Sequence, residues 1–449
     1  MDMKKWILPI LFFGSLFSCQ PDNPDYQAEI ADAEYLHRSV DKLTEVIVHD
    51  IFSPPVASRI YVYPSIAAYE VLQQGDPSYQ TLAGQVNELE PVPEPEPDRE
   101  ISLQLAAVQA YLTVGKALVF SEDKMDAFQE NLFEEIKEIR VPAEVWDHSI
   151  AYGNRVADHI LAWSKGDMYA ETRSYPKYSL PNREDLWVPT PPAYMNGIEP
   201  HWREIRTLVL DSAQQFIPPP PTEFSTDPNS QFIKETREVY EALDAPDAGE
   251  RLSIAKFWDC NPYVMQQTGH VMFATKKITP GGHWMAISTL VGRKEGLDML
   301  ASAEIYARTS IALFDAFISC WDEKYRSNLV RPETVINMHI DPNWMPALQT
   351  PPFPEYTSGH SVISRAAAVT LTDLLGSNYA FDDDTEEIYG LPTRSFTSFF
   401  HASDEAAISR LYGGIHYRPA IDNGVKQGEE VGRYIVENLT TRVEGITSK

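Results

Sequence analysis

Three short stretches of the chain concentrate side chains that can grip a small oxyanion and move protons on it. The first is Lys324-Tyr-Arg-Ser-Asn-Leu-Val-Arg331-Pro332. Lys324 and Arg331 are seven apart, so a helix projects both from one face, and Pro332 is expected to end that helix. Two cations on one face suit an oxyanion, because an Arg fork can bind two of its oxygens at once. The second is Pro354-Glu-Tyr-Thr357-Ser358-Gly359-His360, which opens an apolar helical run. A Ser hydroxyl and free backbone N–H groups then face outwards at the positive end of a helix. Gly359 lets an anion come close to the main chain, and His360 is placed to exchange protons with it. The third is Ser409-Arg410-Leu-Tyr-Gly413-Gly414-Ile-His416-Tyr-Arg418-Pro419. Gly413-Gly414 can break a helix and Pro419 can begin the next, which leaves His416 in a turn, able to point back at a ligand of Arg410. Taken singly, each stretch also has a plain structural reading: a solvated basic face, a Ser N-cap with a surface His, and a helix–turn–helix connection.

In this order, Lys-x6-Arg-Pro, Ser-Gly-His and Ser-Arg-x5-His form a three-part signature. Over roughly residues 300–435 the chain resembles the vanadium-dependent haloperoxidases and their relatives, the type 2 phosphatidic-acid-phosphatase superfamily. The resemblance implies that Lys324, Arg331 and Arg410 hold the oxyanion, with Ser358 and the Gly359 amide as neutral donors. It implies that His360 is the acid–base residue, and that His416 bonds to vanadium as vanadate, or to phosphorus in a phosphatase. Trp321 and Phe353 resemble aromatic wall residues of the fungal chloroperoxidases; read alone, they are core aromatics. The chain also departs from the pattern. Thr357 stands where Pro usually precedes Ser-Gly-His. Position 420, where an Asp often orients the last His, is Ala, so Asp422, Asp404 or Glu405 is the candidate for that role.

Vanadate and phosphate share shape and charge, so one pocket serves two chemistries. The first expectation is a haloperoxidase that oxidises halide with hydrogen peroxide, with vanadate as cofactor and fixed positive charge offsetting the charge of the incoming halide. The alternative is an acid phosphatase without cofactor, in which His416 attacks a phosphate monoester and His360 protonates the leaving alcohol. A third reading is a phosphate-binding surface lipoprotein. An apolar wall at Trp321 and Phe353 favours a weakly hydrated halide. His416-Tyr-Arg418 is also closer to the haloperoxidase ending His-Trp-Arg than to the phosphatase His-Trp-Pro.

The elements that must position these residues are mostly helices. Leu36, Val40, Leu43 and Ile47 recur at steps of three and four within residues 31–50. A further helix is expected after Pro54-Pro55, then others over residues 101–119, 121–139 and 143–164. Residues 92–98, VPEPEPD, read as an exposed linker. Residues 166–227 are rich in Pro, Tyr and Asn and are expected to be irregular, wrapping or covering a site. Helical patterning returns from Gln231 and runs, with breaks, to about Asn438. The expected fold is all-α, of packed helical bundles with long irregular loops. Its expected organisation is a leader over 1–19, an N-terminal helical half over 20–200 and a catalytic domain over 201–440.

Two further segments, Trp258-Asp259-Cys260-Asn261-Pro262 and the stretch from His270 to Trp284, carry polar side chains to which the motifs give no role. His270 and His283 are expected to be structural polar residues near the pocket. The sequence shows no zinc-like ligand spacing.

The 449 residues carry 65 acidic and 37 basic side chains, a net charge of −28. That surface repels nucleic acid and anionic lipid headgroups, so an anionic substrate needs a locally basic pocket. Lys4 and Lys5 precede the apolar run WILPILFFGSLF, which is signal-peptide length and too short to span a bilayer. Leu16-Phe17-Ser18-Cys19 resembles a bacterial lipobox, which predicts export, cleavage before Cys19, a lipid on its thiol, and a soluble body in the periplasm or at the cell surface. Cys260 and Cys320 are the remaining cysteines. Export permits a disulfide between them without establishing one.

Overall fold

The computed structural model describes residues 22–443 apart from 181, 269, 270 and 275, together with the side chains outside 265–275. The leader and Cys19 therefore lie outside the described residues, as does His270. The protein is 57% helix and 3% strand, as expected for an all-α fold.

The N-terminal helices are α1 (Glu34–Asp50), α2 (Pro54–Leu72), α3 (Leu103–Ala117), α4 (Glu122–Lys137) and α5 (Ala143–Ser164). The periodic residues Leu36, Val40, Leu43 and Ile47 of α1 are all buried. Helix α2 starts at the two prolines, because Pro fits the first turn, and Ser53 caps it by accepting from the Val56 amide. Every residue of α2 is buried, so it is a core helix. Ser102 caps α3 in the same way. The Ser121 hydroxyl does not cap α4; it is bound to Asp50 at the end of α1 instead.

From there follow α6 (Gln231–Tyr240), α7 (Ala248–Phe257), α8 (Pro280–Glu295), α9 (Met299–Ser327), α10 (Pro332–His339), α11 (Gly359–Leu375), α12 (Phe399–Tyr412) and α13 (Arg418–Asn438). Two antiparallel strand pairs, β1 (Met265–Thr268) with β2 (Val271–Ala274) and β3 (Phe381–Asp383) with β4 (Arg394–Phe396), lie between them. Helix α9 is the axis: it packs against α2 on one side and α11 on the other. One continuous apolar core runs from Tyr26 to Leu439, so it takes residues from both sides of position 200.

The Asp315 carboxylate that interrupts the apolar stretch of α9 has a structural role. It is fully buried and accepts from the amides of Leu208, Val209 and Leu210 at 2.7, 2.8 and 3.0 Å. Trp321 Nε1 and Tyr325 OH both donate to the Ile198 carbonyl, at 3.2 and 2.6 Å. The irregular segment after α5 is thus pinned along the axial helix by side chains that satisfy its backbone. Helix α13 lies directly on α11. A Cβ added at Gly428 would stand 2.1 Å from the Val362 carbonyl oxygen, so only glycine permits this approach.

Candidate active site

Lys324 lies in the last turn of α9, but Arg331 is not on that helix. Asn328 takes a left-handed conformation (φ 50°) and ends α9 at Ser327. Arg331 sits in an extended link (φ −76°, ψ 151°), and Pro332 begins α10 rather than ending α9. The correction follows from proline chemistry: its missing N–H and fixed φ suit the first helical position at least as well as a stop. The two cations still converge, through the turn. Ser358 is the N-cap of α11 and accepts from the Ser361 amide, so Gly359 and His360 open the helix as expected. Arg410 is near the end of α12. Gly414, at φ 79°, turns the chain, and His416 lies in the connection before α13.

Gly359, His360, Arg410 and His416 line one cavity together with Trp321 and Phe353, whereas Lys324, Arg331 and Ser358 are buried and are not among its lining residues. Pro54 at the head of α2 and Cys260, Asn261 and Pro262 complete part of its wall. The 258–262 segment, unassigned from sequence, is therefore part of the site. The Trp321 and Phe353 rings pack with centroids 5.0 Å apart. The Lys324 ammonium lies 5.0 Å and the Arg331 guanidinium 5.1 Å from the Phe353 ring, so the same wall supports both cations.

Lys324, Arg331 and Arg410 are all buried, and each is held by backbone carbonyls rather than by an acid. Lys324 Nζ donates to the carbonyls of Pro354, Glu355 and Thr357 at 3.0, 3.1 and 2.5 Å. Arg331 donates to Phe353 O at 2.9 Å and Ile415 O at 2.8 Å. Arg410 donates to Trp258 O at 2.7 Å and to Ser409 Oγ at 3.0 Å. Burial pulls Lys324 down to about 7 and Arg331 to about 10, and lowers Arg410 as well. Carbonyls orient cations without neutralising them. A buried, positively biased pocket of this kind is completed by an anion.

His416 is fixed at both ring nitrogens. Nδ1 is 2.9 Å from Glu355 Oε1, which also accepts from the Tyr417 amide at 2.9 Å. Nε2 is 3.1 Å from Arg331 NH1. Burial, then the nearby Arg331, Lys324 and Arg410, holds the imidazole well below its usual value, so it is neutral. With Nδ1–H donated to Glu355, the Nε2 lone pair faces the guanidinium and the cavity, which is the tautomer a coordinating or nucleophilic histidine needs. Glu355 is the orienting acid that sequence reading missed. Asp404 is engaged with Arg365, Glu405 with Arg394 and the Trp258 indole, and Asp422 is exposed. Glu355 stands inside the second motif, three residues before Ser358, but its sequence distance from His416 concealed the pairing.

His360 is half-buried, and among the described residues neither its Nε2 nor Arg331 Nη2 has a hydrogen-bond partner. Burial and then Arg410 depress the His360 pKa. The unpaired Arg331 Nη2 and His360 Nε2, beside the three carbonyl-held cations, fit a tetrahedral oxyanion such as vanadate. His283 is fully buried near the site, paired with Asp383. Cys260 and Cys320 are both free thiols: the first neighbours His283, the second Thr357.

Residues 304–445 match the family described as the VCPO second helical-bundle domain. The chain is similar to the crystal structure of a bacterial vanadium-dependent iodoperoxidase, with 52% identity and a TM-score of 0.88 over 93% of this chain and 99% of that one. It is similar in fold to bacterial vanadium-dependent chloroperoxidases in holo and apo forms. For the holo form the identity is 15% and the TM-score 0.61, over 87% of this chain and 93% of that one. For the apo form they are 17% and 0.64, over 86% and 94%. Among curated proteins none matches.

Proposed function

Since the chain belongs to the vanadium-dependent haloperoxidases, a family of vanadate-dependent peroxidases, we propose that its own reaction is the oxidation of iodide by hydrogen peroxide. The observation that carries the reading is the set of three buried cations held by backbone carbonyls, with Arg331 beside Nε2 of a neutral His416. Lys324, Arg331, Arg410, Ser358 and the Gly359 amide would hold vanadate, with His416 Nε2 as its protein ligand. When bound, vanadate supplies the Lewis-acid centre that makes hydrogen peroxide reactive towards halide. The chain's own residues do the rest. Lys324 and the two arginines fix positive charge where a halide must approach an anionic centre. His360 Nε2, free of protein partners, holds or gives the proton that the departing oxygen requires. Trp321 and Phe353 exclude water from one side, which suits a large, weakly hydrated halide.

Iodide is favoured because a relative of this identity and coverage is an iodoperoxidase, and because the wall is aromatic. The deciding experiment uses protein purified without phosphate and reconstituted with vanadate. It should oxidise iodide with a higher kcat/KM than bromide or chloride. Vanadate-free protein that turns over a chromogenic phosphate ester, with no vanadate-dependent halide oxidation, overturns the reading. The leader further supports export and tethering through lipidated Cys19, which would place the peroxidase outside the cytoplasm.

A further inference from the structure

Behind the cavity wall, Cys260, His283 and Glu386 converge from three separate segments: the link after α7, the first turn of α8 and the turn after β3. Cys260 Sγ and Glu386 Oε1 each lie 3.5 Å from His283 Nδ1, and all three atoms are within 4.8 Å of one another. Hydrogen bonding accounts for only part of this arrangement. The contact with Cys260 Sγ is within hydrogen-bond range for sulfur, but 3.5 Å to the Glu386 oxygen is long for a ring N–H, which prefers about 2.7–3.2 Å to an oxygen, and one N–H cannot point at both. Glu386 Oε1 is buried and has no hydrogen-bond partner among the described residues. Bonds of about 2.0–2.3 Å to a tetrahedral zinc ion set its ligand atoms about 3.3–3.6 Å apart, which is the spacing seen around Nδ1. The far side of the ring completes the pattern: His283 Nε2 is 2.8 Å from Asp383 Oδ2, while the other oxygen of that carboxylate, Oδ1, accepts from the Thr385 amide and hydroxyl. A carboxylate on the second nitrogen is how metal-bound histidines are oriented.

We propose that Cys260, His283 and Glu386 bind a zinc ion, with Asp383 orienting the histidine and water in the fourth position. A thiolate, an imidazole and a carboxylate together select zinc over magnesium or calcium. Binding displaces the Cys260 thiol proton and any proton on Nδ1. The ion would tie three segments that the absence of sequence spacing concealed. One of them forms the wall of the oxyanion cavity and carries the Trp258 carbonyl that receives Arg410, and the Trp258 ring stacks on His283 at 4.6 Å.

The test is elemental analysis of the full mature protein after zinc addition and exhaustive dialysis against metal-free buffer, with cobalt substitution in parallel. One zinc per chain is expected, and cobalt should give a thiolate-to-metal charge-transfer band that survives Cys320→Ser and disappears in Cys260→Ser. Glu386→Gln, which keeps the volume, should weaken zinc binding by at least about a hundredfold, and Asp383→Asn by about 10–100-fold. Should Cys260→Ser fail to fold, the cobalt band in the Cys320→Ser protein still decides, since Cys260 is then the single remaining thiolate candidate outside the lipidated leader cysteine. No retained zinc and no thiolate band in the wild type overturns the proposal, as does unchanged zinc binding in folded Glu386→Gln. These readouts are independent of vanadate and of halide oxidation.

Discussion

Glu355 holds His416 by Nδ1 at 2.9 Å, and the same carboxylate oxygen takes the Tyr417 amide, so one acid fixes both the ring and the turn that carries it. Removing it should loosen His416, the proposed vanadate ligand, and also takes away a carboxylate that favours the charged forms of Lys324 and Arg331. Glu355→Ala is expected to weaken vanadate binding about 10–100-fold, the usual cost of losing a ligand's orienting partner. Glu355→Gln keeps an acceptor for both N–H groups and should fall between. Vanadate titration followed by recovered activity measures this, and wild-type affinity in Glu355→Ala would remove Glu355 from the site.

The pH dependence of anion binding has a definite sign. Burial lowers Lys324 to about 7 and raises Glu355 to about 7. As pH rises through neutrality, the anion-free site loses an ammonium charge and gains a carboxylate charge. An oxyanion favours the charged lysine and the neutral acid, so binding takes up protons and weakens as pH rises. The slope approaches about tenfold per pH unit for each proton taken up. Sulfate, which does not titrate in this range, is the suitable probe. Lys324→Arg, whose guanidinium stays charged, should remove the lysine's share of the slope and leave that of Glu355. A sulfate affinity independent of pH from about 6 to about 9 contradicts the assignment.

What could be read from the chain, and what could not, divides by the range of the interaction. Leu36, Val40, Leu43 and Ile47 announce α1 because a helix repeats its buried face locally. The three motifs announce the pocket because an oxyanion needs those residue types, whatever brings them together. Asn328 is less legible: its left-handed conformation ends α9 early and puts Arg331 in a link, and nothing in Lys-x6-Arg-Pro distinguishes that from a continuous helix. Glu355 and Asp383 are hidden for another reason. Their partners, His416 and His283, lie 61 and 100 residues away, and only the packed fold shows which carboxylate meets which ring.

Close packing beneath the site yields a stability prediction. Helix α13 approaches α11 so nearly at Gly428 that a methyl would stand 2.1 Å from the Val362 carbonyl oxygen. Gly428→Ala should cost about 1–3 kcal/mol or more in thermal or denaturant unfolding, since the helices must move apart. The same displacement pulls on Ser358, whose amide donates to Ala420 O at 3.0 Å, so vanadate affinity should fall too. Gly249→Ala is the control. A Cβ there has nothing within 4 Å, and the change should stay within about 0.5 kcal/mol.

Lipidation of Cys19 is a separate expectation, resting on the order of the leader: two lysines, an apolar run, then Ser18-Cys19. Among the described residues no helix is long and apolar enough to cross a membrane. Mass spectrometry of the mature N-terminus should find a diacylated or triacylated Cys19. Cys19→Ala should shift the protein from the membrane fraction to the soluble one. An unmodified mature chain beginning elsewhere would rule the anchor out.

The two histidines should separate by role. His416 offers a fixed, neutral Nε2 between Arg331 and the cavity, so His416→Ala removes the one protein atom placed to bond the cofactor. Vanadate affinity and halide oxidation should be lost together. His360 reaches the cavity with Nε2 unpartnered, and burial and Arg410 keep it neutral until a proton is delivered. His360→Ala should therefore leave vanadate bound while lowering kcat by about 10²–10⁴-fold, the range typical of a lost general acid–base group. The distinguishing measurement is bound vanadium per chain beside turnover at saturating iodide and peroxide. Equal loss of vanadium in both variants would reduce His360 to a packing role at the mouth of α11. Halide oxidation that persists without His416 would move the reaction out of this pocket altogether.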